Sequence, residues 1–166
     1  MKHLILIRHG QSEWNQQKRF TGWVDVGLTD KGRAEAKKAG ELIKEKKIKL
    51  DSFYSSYQKR ANDTLKIVMK ELNEDENLIT KKWQLNERHY GELTGLNKED
   101  MKKKYGEEKI HQFRRSWDVK PGALDRKSPY HPLNIETYKD IPATDIPDTE
   151  SCLLYTSPSP RDAHKS

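Results

Sequence analysis

A single cysteine, Cys152, in 166 residues leaves no internal disulfide to form and fits a reducing compartment. Long apolar runs are also missing. The best, Leu4–Ile7, falls far short of the roughly 18 residues that span a bilayer. It is also shorter than the about 7–15 residues of a signal-peptide core. The expected location is therefore the cytoplasm, where the sequon Asn62-Asp63-Thr64 would stay unglycosylated. No Gly-rich nucleotide loop, Cys/His metal spacing, heptad or internal repeat is present, so the sequence implies no metal. Hydrophobic residues make up only 33% and charged residues 35%. That is a thin core for a chain of one domain's length, in which the loss of any buried strand would be felt.

The charge that is present is basic, with a formal net of +6. Two partner classes follow: nucleic acid or small polyanions. Nucleic-acid binders carry a basic stripe with interleaved aromatics or a known module. Here Lys44–Lys47 and Lys102–Lys104 are short runs on mixed-charge segments, which solvated helix faces explain more simply. Small anions remain, and no membrane partner is implied.

The stretch from Met1 to Trp23 organises the rest. Leu4–Ile7 reads as a strand buried on both faces of a parallel sheet, ending at Arg8-His9-Gly10. Ligands of open α/β sheets bind just past such strand ends. A neutral imidazole is a good nucleophile near pH 7, and a neighbouring guanidinium grips phosphate oxygens in two places. Gly10 permits a tight turn. Downstream, Thr29 caps a helix that runs to about Lys47. Leu50–Ser55 reads as a second strand, followed by a helix with Ala61, Leu65, Val68, Met69 and Leu72 on one face. Leu78–Trp83 reads as a third strand and 86–95 as a loop. Two short polar helices follow, Lys98–Tyr105 and Glu107–Ser116, and then a proline-rich surface loop over 119–148. Alternating strands and helices indicate an α/β fold.

Arg8-His9-Gly10-Gln11-Ser12, Trp14-Asn15 and Phe20-Thr21-Gly22-Trp23 resemble the histidine phosphatase superfamily and, within it, the cofactor-dependent phosphoglycerate mutases. Ser56–Ala61, Asn86–Gly91 and Leu93–Lys98 extend the resemblance. It implies a mostly parallel sheet with flanking helices and a phosphohistidine at His9, with Glu87 as proton donor and acceptor. Substrate contacts are implied for Arg8, Gly10, Gln11, Ser12, Glu13, Trp14, Asn15, Thr21, Gly22 and Arg60. Arg88, His89, Tyr90, Lys98, Arg114 and Arg115 complete the set, although His89 reads equally as structural. The implied reaction interconverts 2-phosphoglycerate and 3-phosphoglycerate in glycolysis and gluconeogenesis. It is primed by 2,3-bisphosphoglycerate without a metal, in a family that is often homodimeric. Bisphosphoglycerate mutase, a histidine phosphatase and a non-catalytic phospho-ligand-binding fragment are the alternatives.

The resemblance stops after Ser151. There the family continues with a helix and a central strand ending in a second active-site histidine. Residues 152–166 instead resemble the in-frame translation of a sequencing adapter. Residues 1–151 are expected to be the amino-terminal part of a mutase domain, lacking C-terminal helices and a central strand. The remainder is expected to be a non-native, disordered tail, and the chain as it stands poorly folded and inactive.

Overall fold

The computed structural model describes residues 3–152, and the tail expectation over 153–166 lies outside them. Residues divide into two compact units. The first holds the described residues up to Gln16 together with Asp25–Asn86. The second holds Gln17–Val24 and the described residues from Glu87 onward.

In the first unit a four-residue helix, α1 (Glu13–Gln16), precedes α2 (Asp30–Glu45). Thr29 caps α2 as its sequence position predicts, its side chain accepting from the Gly32 amide at 3.1 Å. Strand β1 (Phe53–Ser55) leads into α3 (Lys59–Leu72), and β2 (Ile79–Lys81) pairs with β1 in parallel, Phe53 opposite Ile79. Helices α2 and α3 meet where Gly40 faces Glu71 and Val68. Val68 and Met69 supply the buried apolar face. Asn62 is buried and its amide donates to the carbonyls of Ser56 and Gln58, both at 2.9 Å.

The fold class is α/β, as expected, but the sheet is smaller than the sequence suggests. Leu4–Ile7 forms no strand, and both β1 and β2 are three residues long. A strand buried on both faces needs paired neighbours and covering layers. Among the described residues β1 and β2 make the only sheet. Leu4 is accordingly 84% exposed, Leu6 85% and Ile7 40%. In this chain Leu6→Lys should then shift the urea midpoint by less than ~0.5 kcal/mol equivalent. A loss of about 2 kcal/mol, normal for a buried leucine, would show that Leu6 is packed.

The second unit contains α4 (Lys98–Tyr105) and α5 (Glu107–Arg115). Asn97 caps α4 by accepting from Glu99 and Asp100 amides. Phe20, Leu93, Ile110 and Phe113 form the core, with Tyr90, Met101 and Val119 against it. The segment 119–148 departs from the expected surface loop. Three 3-10 turns order it, and His131, Tyr138, Ile141 and Ile146 are buried. Tyr138 packs its ring at a 53° tilt against Trp23, centroids 5.0 Å apart, and its hydroxyl donates to the Trp23 carbonyl at 2.5 Å. Prolines break helical periodicity without preventing burial, which is why the pattern concealed this packing.

Candidate active-site residues

In the first unit His9 sits in the turn between the extended amino-terminal segment and α1. Arg60, wholly buried in the first turn of α3, directs its Nε–H at His9 Nε2 over 3.3 Å. A guanidinium only donates, so Nε2 is the accepting nitrogen. The neutral ring then carries its proton on Nδ1, which donates to the Gly10 carbonyl at 2.7 Å. Both contacts choose the same tautomer and leave the Nε2 lone pair facing a cation. A phosphoryl acceptor needs this unprotonated Nε2, from which the Arg60 N–H can turn to the incoming phosphoryl oxygens.

The turn is built around this ring. The Gly10 amide donates to Thr64 Oγ1 at 3.2 Å, and that hydroxyl donates to the Arg60 carbonyl at 2.8 Å. Gln11 donates through its amide to Glu35 at 2.8 Å, and its carbonyl accepts from the Thr29 amide at 3.0 Å. Glu35, Thr29 and Thr64 were not identified as site residues by the sequence reading. Only Thr29 had a legible signal, its capping position.

The remaining candidates in this unit divide by exposure. Arg8 and Glu13 are exposed, and Gln11 and Asn15 are half-buried. Ser12 and Asn15 cap each other at the start of α1: the Asn15 amide donates to Ser12 Oγ, and the Ser12 amide to Asn15 Oδ1, both at 3.2 Å. Trp14 is buried.

The second unit holds the other candidates. Thr21 and Gly22 are buried, Gly22 with φ +56° and its Cα side against the Arg88 carbonyl. Glu87, Tyr90, Lys98 and Arg114 are half-buried, and Arg115 is exposed at the carboxyl end of α5. Burial, and then the Glu87 carboxylate, push the Tyr90 hydroxyl up to about 12 against the pull of Arg88, Arg114 and Arg115. Tyr90 therefore stays a neutral donor near pH 7.

Two candidates are placed differently from their expected contacts. The His89 ring is fully buried, 6.0 Å from the His131 ring, with Nδ1 accepting from the Gly91 amide at 2.9 Å. It offers no surface to a ligand, in line with the structural reading of that residue. The Arg88 guanidinium is buried and donates to the backbone carbonyls of Phe113, Arg114 and Glu150. Glu150, absent from the expected site, accepts from the His89 amide at 2.7 Å. No spacing rule connects it to residue 89. Among the described residues no cluster of three or more His, Cys, Asp or Glu could hold a metal ion.

Comparison with known proteins accords with this geometry. A 2,3-bisphosphoglycerate-dependent phosphoglycerate mutase of Pelagibacter ubique is 67% identical over 151 residues, covering 91% of this chain and 63% of that protein. Its counterpart in Bacteroides fragilis is 48% identical over 91% of this chain and 61% of its own. The chain thus spans about three fifths of the length of these curated relatives. Among solved structures, a Bacillus stearothermophilus protein, YhfR, aligns at TM-score 0.55 with 29% identity, over 64% of this chain and 50% of that one. A mycobacterial glucosyl-3-phosphoglycerate phosphatase aligns at 0.58 with 25% identity, over 71% and 53%. The sequence matches the histidine phosphatase superfamily (branch 1) over residues 4–131, a span that takes in the His9 turn, the start of α3 and the Glu87–Lys98 stretch. On that match this chain belongs to branch 1 of the histidine phosphatase superfamily.

Proposed function

We propose that the whole protein carrying these residues is a phosphoglycerate mutase that passes a phosphoryl group through His9. The observation that carries the proposal is the fixed tautomer: Nδ1 tied to the Gly10 carbonyl and Nε2 facing Arg60 Nε. The likeness to the Pelagibacter and Bacteroides mutases narrows the substrate class to 2- and 3-phosphoglycerate.

His9 Nε2 attacks the phosphorus of a phosphate ester. The P–N bond forms as the P–O bond to the departing hydroxyl oxygen breaks. Arg60, charged and desolvated beside Nε2, offsets the charge on the phosphoryl oxygens. The departing alkoxide takes a proton from Glu87, which returns to the carboxylate and can deprotonate the next hydroxyl. Phospho-His9 then passes its phosphoryl to the free hydroxyl of 3- or 2-phosphoglycerate, and the bisphosphoglycerate so formed returns its other phosphoryl to His9, which completes the isomerisation.

A 2,3-bisphosphoglycerate primer would supply the first phosphoryl group. The cationic side chains Arg8, Arg60, Arg114, Arg115 and Lys98 suit so anionic a molecule, and Nε2 of the proposed tautomer is ready to accept. The protein is proposed to act in the cytoplasm, to bind neither nucleic acid nor membrane, and to form homodimers.

The test is incubation of the whole protein with labelled 2,3-bisphosphoglycerate, followed by 3-phosphoglycerate. An acid-labile, alkali-stable label on His9 that chases into 2-phosphoglycerate is expected. It should be absent in His9→Ala and at least roughly a hundredfold slower to form in Arg60→Ala. Label released as inorganic phosphate would make the protein a phosphatase, and label retained mainly in bisphosphoglycerate a bisphosphoglycerate mutase. Binding without any label on His9 would leave a non-catalytic ligand-binding protein.

A further inference from the structure

We propose that Arg88 is a positioning residue. Its guanidinium closes the carboxyl end of α5, ties that end to Glu150, and thereby presents Arg114 and Arg115 to the anion. The inference rests on the phosphoglycerate reading for what those two arginines bind, but not for the closure itself.

A helix leaves its last carbonyls without intrahelical donors and carries partial negative charge at that end. In α5 the Ser116 amide returns to the Gln112 carbonyl at 2.8 Å, which leaves the carbonyls of Phe113 and Arg114 to be satisfied. Arg88 supplies both donors: Nη2 reaches the Phe113 carbonyl at 2.6 Å and Nη1 the Arg114 carbonyl at 3.4 Å. Nη2 also donates to the Glu150 carbonyl at 3.1 Å, and Nη1 to Cys152 Sγ at 3.0 Å. The guanidinium plane lies over the Tyr90 ring, 5.1 Å from its centroid.

Three of the four acceptors are backbone carbonyls and none is a carboxylate. Arg88 is only 5% exposed, and its Nε–H is buried without a partner. A phosphate ligand would have to displace several of these bonds to reach it. Arg114 and Arg115 are more accessible, on the last turn that Arg88 holds. Three adjacent guanidinium groups would repel one another. Directing one of them at the helix-end carbonyls moderates that repulsion and leaves the other two for an anion.

Glu150 completes the device. Its amide donates to the His89 carbonyl at 3.1 Å and its carboxylate accepts from the His89 amide at 2.7 Å. The backbone immediately after Arg88 is thereby held at both the N–H and the C=O of His89.

Amide hydrogen exchange on the 166-residue chain, without ligand, tests the closure. Arg88→Lys keeps the charge but cannot reach three carbonyls at once. It should speed exchange at Arg114, Arg115 and Ser116 by roughly tenfold to a hundredfold while sparing α2 and α3. A ligand-only arginine would leave those rates unchanged, and that result overturns the proposal. Should the variant lose its fold, the unsubstituted chain decides. Arg88 Nη protons should then give separate, slowly exchanging signals with cross-peaks to Phe113 and Glu150, and a single averaged signal overturns the proposal.

Titration with 3-phosphoglycerate adds a readout that structure alone would not move. In a double-mutant cycle, the affinity lost in Arg88→Lys should largely disappear when Arg114 and Arg115 are already Ala, because Arg88 acts through them. Additive losses would instead make Arg88 a direct ligand and overturn the proposal. The titration is made on the whole protein; if that binds no 3-phosphoglycerate, the phosphoglycerate reading is what fails, and the exchange data still judge the closure.

Discussion

Gly10→Ala should destabilise the His9 turn by about 3 kcal/mol or more, beyond the cost of an ordinary surface substitution. A Cβ at Gly10 would lie 2.1 Å from the Gly32 carbonyl oxygen and within 2.8 Å of the Gly32 Cα. These are backbone atoms in the first turn of α2, so no rotamer relieves the overlap. The crossing is mutual, since a Cβ at Gly32 would lie 2.1 Å from the Gln11 carbonyl oxygen. Moving α2 away would break the Thr29-to-Gln11 bond at 3.0 Å and the Gln11-to-Glu35 bond at 2.8 Å. Those bonds hold the carbonyl on which His9 rests its Nδ1 proton. Urea unfolding of the variant should show the loss, with Gly27→Ala as the control. A Cβ at Gly27 meets only the movable Glu13 carboxylate, at 3.2 Å. Equal losses in the two variants would mean that the Gly10–Gly32 approach is not a real constraint.

The same crossing shows what the sequence could and could not convey. Thr29 was legible as a cap because capping is local, a side chain reaching an amide three residues on. Helix α3 was legible from apolar spacing, and α4 and α5 as short polar helices. The His9–Arg60 pairing could be reached only through family resemblance, since 51 residues separate the partners. Leu4–Ile7 misled because apolar composition reports a preference for burial, whereas strand formation depends on a neighbour elsewhere in the chain. For Arg88 the resemblance implies a substrate contact, whereas in the structure its guanidinium donates to the carbonyls of Phe113 and Glu150, which nothing local marks as its partners. Tyr138 packs against Trp23, 115 residues away, from a segment whose prolines hide any period.

Acid should selectively weaken the second unit through His89. Its Nδ1 accepts the Gly91 amide proton, so the neutral ring carries hydrogen on Nε2, which is buried without an acceptor. Protonating the ring would displace the Gly91 bond and bury a charge. Burial foremost, then the neighbouring His131, hold His89 down to about 3, although the Asp148 carboxylate pulls the other way. Its counterpart in the unfolded chain titrates near ~6.5. Between those values the unfolded state binds the extra proton, so stability is fully present above about pH 6.5 and falls as pH drops toward 3. At pH 4.5 the loss is roughly 2–3 kcal/mol, with a ceiling of ~5 near pH 3, a large share of a small domain's stability.

Asp148 adds to the loss only at the acid extreme. Burial tends to raise its carboxyl, but hydrogen bonds from Arg126 and His131 outweigh that and hold it low, so its contribution disappears as it protonates. The measurement is the urea midpoint of the second unit's helices from pH 7.5 to 4.5, compared with His89→Phe. That variant should be weaker at pH 7.5, having lost the Gly91 bond, yet flatter with pH. An equally steep profile in His89→Phe would place the titrating group elsewhere. The consequence should reach Arg114 and Arg115, because Glu150 pairs with His89 through both its amide and its carboxylate. Charging His89 should loosen that pairing, release Arg88 from the end of α5, and weaken phosphate binding before the helices themselves unfold.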